Sequence, residues 1–426
     1  ESTTGAIQVA RLMPGGPAWK SDVIKTGDVL LSVKPGTKSI MDASDFELDE
    51  ILAEVSDMAN LEAAFTVKSP DGKIKSVSLK KEKIENAENL ITSFVLEGKR
   101  KIGYIQLPGF YTNETLEAGK GCAGDVAKEL LKLKKEGIEA LILDLRFNGG
   151  GSVQEAIELG GIFIDAGPFA VMEGKDGQLV TLKDFNRGSA YMGPLLVMVN
   201  ALSASASEIV AAGLQDYNRA IIMGCESYGK ATGQVVIPLK EDKSESDFVK
   251  ITEDRIYRVT GSSLQLNGVI PDITVPEITT AFGQKEAKER YAIQPKSITK
   301  KIYFTPLAPL NLSEIKAKSG MRAKPSQYFQ SIEKFGLQLS RAVPLEMNSF
   351  IGFISELEQS ANSLAILEND QEQYKVYVSG LNKALFSVDT YHKEISESAL
   401  EELQSSHYVR EAYSILDDYL SLKPKP

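Results

Sequence analysis

The first part of the chain alternates apolar and polar residues in short runs. Two such runs lie in "AAFTVKSPDGKIKSVSLKK", and they meet at "SPDG", which is typical of a hairpin turn. Two earlier runs, "AIQVARLM" and "VLLSVKPG", are also separated by Gly- and Pro-rich turns. A stretch with helical spacing, from Phe46 to Val55, lies between the two pairs of runs. The pattern predicts a small β-rich domain over residues 1–83.

The pattern changes in the middle of the chain, where longer apolar runs alternate with helical spacing. "ALILDLRFN", from Ala140 to Asn148, is a near-continuous apolar run that ends at a glycine triplet, which indicates a buried strand. "PLLVMVN" and "RAIIMG" are two further runs of this kind. Helical patterns cover Gly124 to Lys135 and Val153 to Leu159. Alternating strands and helices predict a layered α/β core over residues 84–290.

The last third of the chain is mostly helical and polar in its pattern. Helical spacing with many Glu, Lys and Ser residues covers Glu333–Arg341, Glu346–Glu358 and Leu400–Leu422. We therefore predict a helical C-terminal domain over residues 291–426. The fold class is accordingly a multidomain chain of the α+β or α/β type.

Composition narrows the classes of partner. The chain of 426 residues has 42% hydrophobic and 25% charged residues, which is ordinary for a globular protein. Its net charge of −10 and the lack of a basic stripe argue against nucleic acid as a partner. No apolar run approaches the roughly 18–20 residues of a membrane span. The chain starts at Glu1 without an initiator Met or a signal sequence, so we expect a segment upstream of it.

Metal and disulfide chemistry have little support in the sequence. The two cysteines, Cys122 and Cys225, do not form a metal-ligand spacing, so we predict no metal site and no cofactor. A single disulfide between them stays open as an alternative. The two histidines, His392 and His407, lie in the helical part and are expected on the surface.

A row of serines carries the first candidate chemistry. In "NALSASASEIV", Ser203, Ser205 and Ser207 alternate with alanine where a strand gives way to a helix. A serine there could be a nucleophile, but its hydroxyl attacks a carbonyl only with a base within hydrogen-bond reach. It could equally be a helix N-cap without catalytic function.

A lysine is the candidate base, because both histidines lie in another predicted domain. A lysine amine can accept the proton if a largely dry pocket lowers its pKa from about 10.4 to about 7–8. Lys230 lies in "SYGKATGQ", a Gly-lined turn between two apolar runs. Spacing alone leaves two interpretations open, a buried base and a solvated turn lysine.

Backbone donors are available near the serines. The first N–H groups of a helix lack intrahelical partners and favour a developing negative charge. The glycine triplet Gly149 to Gly151 is a second source of such donors, since glycine allows close approach. It does not read as a phosphate loop, because the chain has neither GxxxxGK[ST] nor a GxGxxG in the required context.

Longer motifs resemble one protease family. "LILDLRFNGGG", "SASASEIVAAGLQDYNRA", "GCESYGKATGQ" and "YRVTGSSLQLNGVIPDI" occur in that order. Together they resemble the carboxy-terminal processing proteases, also called tail-specific proteases, and in particular their large periplasmic branch. "PGGPAW" and "TGDVLLSV" resemble the PDZ domain of such proteases. The resemblance implies a PDZ-like domain, a crotonase-like α/β Ser-Lys protease core and a C-terminal helical extension.

The resemblance also assigns roles to residues. The family's serine-to-lysine spacing selects Ser205 as the nucleophile and Lys230 as the base, which leaves Ser203 and Ser207 with structural roles. Gln234 matches the family's third residue, whose amide orients the lysine amine. The oxyanion-hole donors map to the N–H groups of Ala206 and Gly151, with Gly150 next to them.

The resemblance implies a serine endopeptidase that recognises protein C-termini and cleaves unfolded or tagged proteins through an acyl-enzyme. PDZ domains bind peptide ends by strand addition, but the loop that holds the terminal carboxylate would precede residue 1. The resemblance also implies a periplasmic protein and allows for an adaptor protein and a membrane tether upstream. Two alternatives are a catalytically silent PDZ scaffold and acyl-CoA chemistry on a crotonase-like core.

Overall fold

The fold was analysed in a computed structural model. It describes residues 6–13, 15–57, 60–82, 91–112, 121–239, 248–299, 302–367 and 373–422. The chain forms two compact units, one of Glu1–Glu88 with Phe386–Glu397 and one of Asn89–Leu385 with Ser398–Pro426. The predicted boundary between residues 83 and 84 lies outside the described residues.

The first unit contains a four-stranded antiparallel sheet with the strand order β2-β1-β3-β4. Its elements are α1 (Pro17–Ser21), β1 (Val29–Pro35), β2 (Met41–Asp42), α2 (Leu48–Ser56), β3 (Glu62–Lys68) and β4 (Ile74–Lys80). Strands β3 and β4 pair in register through a turn that Gly72 closes with a φ of 86°. This confirms the hairpin predicted at "SPDG".

A seven-stranded sheet forms the centre of the second unit. The strands of this unit are β5 (Thr92–Glu97), β6 (Lys101–Gln106), β7 (Ala140–Asp144), β8 (Gly167–Glu173), β9 (Leu179–Asp184), β10 (Leu195–Val199), β11 (Ile221–Gly224), β12 (Thr232–Pro238), β13 (Phe248–Arg258), β14 (Ile273–Thr274) and β15 (Lys375–Tyr377). The large sheet has the order β14-β11-β10-β7-β6-β5-β15. Neighbours from β14 to β6 are parallel, whereas β5 and β15 pair antiparallel.

Helices cover both faces of this large sheet. The α-helices from Cys122 onwards are α3 (Cys122–Lys135), α4 (Val153–Gly161), α5 (Ala206–Asp216), α6 (Ser313–Ala323), α7 (Gln327–Leu339), α8 (Met347–Leu367), α9 (Gly380–Phe386), α10 (Thr390–Ser405) and α11 (His407–Leu422), and Phe386–Glu397 belongs to the first unit. Alternate residues of the strands enter two separate cores: Leu141 packs with α3, α4 and α5, and Ile142 packs with α6, α7 and α11. Strands buried on both faces explain the continuous apolar runs of the sequence.

The predicted buried strands are confirmed, with one shift at a boundary. Every residue of β7 and of β10 is buried. Strand β7 ends at Asp144 and not at Asn148, and the residues between them form a loop at the sheet edge. Phe147 in this loop has a φ of 63°, a left-handed conformation that no strand contains.

A second, four-stranded antiparallel sheet, with the order β12-β13-β8-β9, was not predicted as a separate layer. It lies in the same unit, and the turn from residue 225 to 231 connects the large sheet to it through β11 and β12. Gln234 is therefore on a strand of the second sheet, four residues after Lys230.

The predicted helical character of the C-terminal part is confirmed, with two differences. The short strand β15 extends the large sheet by pairing with β5. His407 is half-buried and not a simple surface residue, since its ring stacks on Tyr328 at 4.0 Å and its Nε2 lies 2.8 Å from the carbonyl of Leu367. The predicted boundary at residue 290 stays a prediction.

Candidate active site

Three neighbouring parallel strands bring the candidate residues to one edge of the sheet. β7, β10 and β11 lie side by side, and their carboxyl ends point the same way. The glycine triplet follows β7, the serine row follows β10, and the turn with Lys230 follows β11. Carboxyl ends of parallel strands are the usual location of sites in open α/β sheets.

The structure distinguishes the middle serine from its two neighbours. Ser203 and Ser207 are 0% exposed, whereas Ser205 is half-buried. The Ser203 hydroxyl donates to the carbonyl of Leu145 at 2.8 Å, and the Ser207 hydroxyl donates to the carbonyl of Asn148 at 2.8 Å. Both outer hydroxyls thus fix the loop after β7, and only Ser205 of the three is accessible.

Ser205 has an unusual backbone conformation. It occupies the N-cap position of α5 with φ 57° and ψ −112°. Such a conformation costs a non-glycine residue about 1–3 kcal/mol and occurs most often where function requires it. The N-cap interpretation from the sequence is therefore correct for its position, but a helix cap alone does not require this strain.

The glycine triplet approaches Ser205 closely. Gly150 has a φ of 103°, and a Cβ there would lie 2.8 Å from the Cβ of Ser205. Asn148, which is fully buried, fixes this approach because its Oδ1 accepts from the N–H of Gly150 at 2.9 Å. The Asn148 carbonyl also accepts from the N–H of Ala204 at 3.0 Å. The loop after β7 and the serine row are thereby one connected structure.

Two backbone N–H groups are candidate donors for an oxyanion, one directly after Ser205 and one in the glycine triplet. Among the described residues, the N–H groups of Ala206 and Gly151 have no hydrogen-bond acceptor. Ala206 is the first residue of α5, where the helix dipole favours negative charge. Gly150 was predicted to lie beside the oxyanion-hole donors, but its own N–H already donates to Asn148 Oδ1. Gly150 thus contributes space, and the other two residues are the available donors.

Lys230 and Gln234 contact each other as predicted. Lys230 Nζ donates to Gln234 Oε1 at 3.3 Å. The expected dry pocket is not observed: Lys230 is half-buried and Gln234 is exposed. The structure therefore brings together the amine and the amide, while the lysine stays partly accessible.

Glu208 is a residue of the site that the sequence analysis missed. It is 1% exposed, and its two carboxylate oxygens accept four hydrogen bonds. The donors and distances are Ser227 Oγ at 2.5 Å, Gly229 N at 2.7 Å, Ser205 N at 2.8 Å and Lys230 N at 2.9 Å. Burial raises the pKa of its carboxyl to about 7, although these hydrogen bonds oppose the shift. The only signal in the sequence was a glutamate three residues after a serine, which indicates a capping box.

A second set of hydrogen bonds, from the segment that contains Gln265 and Leu266, holds the lysine turn. The Oε1 of Gln265 accepts from the N–H of Ala231 at 2.8 Å, and the N–H of Leu266 donates to the carbonyl of Gly229 at 2.8 Å. Gln265 is 3% exposed and Leu266 has a φ of 67°. This segment belongs to the "YRVTGSSLQLNGVIPDI" motif, which therefore has a structural role beside the site.

The cysteines and the metal-ligating residue types do not add a further reactive group or metal site. Cys122 and Cys225 are both free and buried, so the alternative of a disulfide is wrong. Burial raises the pKa of both thiols, which makes them poor nucleophiles. In the part of the chain that the structure describes, no group of three or more His, Cys, Asp or Glu residues could hold a metal ion. Within that part, no helix is long and apolar enough to cross a membrane.

Comparisons with known proteins identify similar chains. Residues 101–275 match the model of peptidase family S41. The tail-specific protease of Haemophilus influenzae (strain ATCC 51907 / DSM 11121 / KW20 / Rd) is 35% identical over 300 residues, which cover 69% of this chain and 42% of that protein. A probable CtpA-like serine protease of Staphylococcus aureus (strain N315) is 31% identical over 271 residues, which cover 63% of this chain and 50% of that protein.

A solved structure of a photosystem II D1 C-terminal processing protease is 24% identical, with a TM-score of 0.39. The match covers 64% of this chain and 69% of that chain. The chain spans half or less of the length of the two curated relatives.

Proposed function

Since residues 101–275 match the model of peptidase family S41, we propose that this chain is a serine endopeptidase with a Ser205–Lys230 dyad. The observation that carries the proposal is the placement of Ser205. It is the accessible serine of its row, it has a strained backbone, and the N–H of the next residue, Ala206, has no acceptor among the described residues. The lysine turn is attached to the same helix end through Glu208.

The proposed reaction uses the hydroxyl of Ser205, the amine of Lys230, the amide of Gln234 and two backbone N–H groups. Ser205 Oγ attacks the substrate carbonyl carbon while its proton passes to the neutral amine of Lys230. The N–H groups of Ala206 and Gly151 stabilise the oxyanion. When the C–N bond breaks, the Lys230 ammonium returns the proton to the leaving amine, and the substrate stays bound as an ester. A water molecule then attacks the ester with Lys230 again as base, which restores Ser205. Gln234 orients the lysine amine through its Oε1.

We further propose that the first unit is a PDZ-like domain that recognises protein C-termini. Its four-stranded sheet and the helix α2 are the elements such a domain needs. Leu48 and Leu52, one turn apart on α2, are 49% and 48% exposed, which suits an apolar peptide tail. The substrates would then be unfolded or C-terminally tagged proteins, with or without an adaptor protein. The fold of the core is proposed to be crotonase-like. The protein is proposed to be periplasmic. A membrane tether, if the protein has one, is proposed to precede residue 1.

The test is cleavage of an unstructured protein with an apolar C-terminal tail. Ser205→Ala is expected to abolish cleavage, because no other accessible hydroxyl of the row can replace it. Ser203→Ala and Ser207→Ala are the controls: the first removes the buried hydrogen bonds with Leu145 and with the N–H of Asn200, and the second removes the one with Asn148. They are expected to lose about 1–2 kcal/mol of stability and to keep their activity.

Three results would contradict the proposal. Equal cleavage by Ser205→Ala would reject the assigned nucleophile. Tail binding without cleavage by the unchanged chain would favour the silent scaffold. Loss of cleavage in EDTA would contradict the cofactor-free mechanism.

A further inference from the structure

One buried carboxylate links both halves of the proposed dyad. Glu208 Oε2 accepts from the N–H of Ser205 and from the N–H of Lys230. The amide groups of the two residues therefore converge on one oxygen atom. Because the carboxylate belongs to the first turn of α5, any movement of the lysine turn relative to the serine must break this shared contact.

We propose that Glu208 is a positioning residue of the protease, which sets the distance between Ser205 and Lys230 and does so only as a carboxylate. The proposal rests on the proposed function, since it assigns a role at the same site. It concerns the backbone of the two residues and not their reacting atoms, so Glu208 is not itself a catalytic residue.

A capping box explains only part of this arrangement. An N3 glutamate that accepts from the N-cap N–H accounts for the contact with Ser205. The three other donors come from the turn after β11, which lies 19–22 residues further along the chain. A helix cap does not need these contacts. Their effect is to dock the turn from Ser227 to Lys230 on the end of α5.

The contact set requires the ionised form. Four donors point at two oxygens, so each oxygen accepts two hydrogen bonds and no lone pair is left for a proton. A protonated carboxyl would direct an O–H towards one of these donors, and a glutamine would direct an NH₂ towards them. Either change leaves a buried donor unpaired, at a cost of about 1–3 kcal/mol, and releases the turn.

The position of the lysine turn should therefore depend on the protonation of Glu208. Burial raises the pKa of the Glu208 carboxyl to about 7, so its proton is taken up as the pH falls below neutrality. The titratable groups of the facing turn are Tyr228 and Lys230, and the amine of Lys230 is directed to Gln234. Activity should therefore fall as the pH drops below about 7, because Glu208 takes up a proton.

The decisive experiment compares Glu208→Gln with the unchanged chain in steady-state cleavage. We expect kcat to fall by about 10²-fold, as expected when catalytic groups are displaced by about 1 Å, while KM changes less than about threefold. The fall of kcat between pH 8 and about 6 that protonation of Glu208 causes in the unchanged chain should be absent from the variant's acid limb. A kcat within threefold of the unchanged chain, or an unaltered acid limb, would overturn the proposal.

Glu411→Gln is the matched control. Glu411 is also a buried carboxylate on a helix of the same unit, and its oxygens accept from Arg322 at 2.9–3.2 Å. It is expected to leave kcat and the pH profile unchanged, even if it lowers the melting temperature. Equal kinetic effects of both variants would indicate a general loss of stability and would also overturn the proposal.

Hydrogen exchange gives a readout that is independent of cleavage and needs no variant. In the unchanged chain, we expect the amides of residues 227–231 to lose protection as the pH falls from 8 to about 6, after correction for intrinsic rates. Protection that stays constant would reject the carboxylate contact. If the unchanged chain cleaves nothing but shows this loss, the proposed function fails and the positioning contact stands.

Discussion

Lys230→Met is expected to lower kcat/KM for protein cleavage by about 10⁴-fold, at the upper end of what a general base contributes. Methionine keeps most of the length and the apolar stem of the side chain but has no amine to accept the proton of Ser205. The backbone of residue 230 would still donate to Glu208, so the turn should keep its position. The loss should therefore appear in kcat, with KM and the melting temperature nearly unchanged.

A second lysine, which contacts the same turn, provides the control for this substitution. Lys285 forms an ion pair with Glu226 at 2.7 Å, at the start of the same turn. Lys285→Met makes the same change of side chain but removes no part of the proposed dyad, and we expect cleavage within about twofold of the unchanged chain. Substantial cleavage by Lys230→Met would exclude the lysine as the base.

Gly150→Ala is expected to lower kcat/KM by about 10²–10³-fold, comparable to the loss of an oxyanion donor. The added Cβ would lie 2.8 Å from the Cβ of Ser205, 2.8 Å from the carbonyl of Ala204 and 3.1 Å from the N–H nitrogen of Ala206. Its φ of 103° also disfavours any residue with a Cβ. The substitution must displace either the nucleophile or the backbone donor beside it.

The preceding glycine separates this effect from a general effect of the loop. A Cβ at Gly149 would meet no atom within 4 Å, and its φ lies outside the left-handed region. Gly149→Ala is therefore expected to keep its activity within about threefold and its melting temperature within a few degrees. If Gly150→Ala cleaved the substrate as well as Gly149→Ala does, the close approach of Gly150 to Ser205 would have no function.

The sequence predicted the parts of the fold that depend on local pattern. The apolar runs of β7 and β10 are buried strands because both faces of the sheet are covered. Boundaries were less accurate. The helical pattern from Leu400 to Leu422 divides at Ser406 into α10 and α11, which a continuous periodicity does not reveal. The strand β15 was missed because its pairing with β5 joins segments far apart in the chain.

The candidate site was predicted through its motifs and not through its contacts. Ser205, Lys230 and Gln234 occupy one region of the fold, as the resemblance implied. Glu208 and Asn148 could not be identified, because their role arises only when loops from neighbouring strands meet at the sheet edge. The expected dry pocket was wrong for a similar reason, since the exposure of a turn lysine depends on tertiary packing that spacing does not contain.

The central claim, that Ser205 is the nucleophile, is tested most directly by trapping the acyl-enzyme. A short peptide substrate is mixed with the chain, the reaction is stopped with acid before steady state, and the tryptic fragment from residue 188 to 219 is sequenced by mass spectrometry. This fragment contains Ser203, Ser205 and Ser207 together. We expect an ester of the substrate's N-terminal portion on Ser205 alone. An adduct on either neighbour, or product formation with no serine adduct at any quench time, would contradict it.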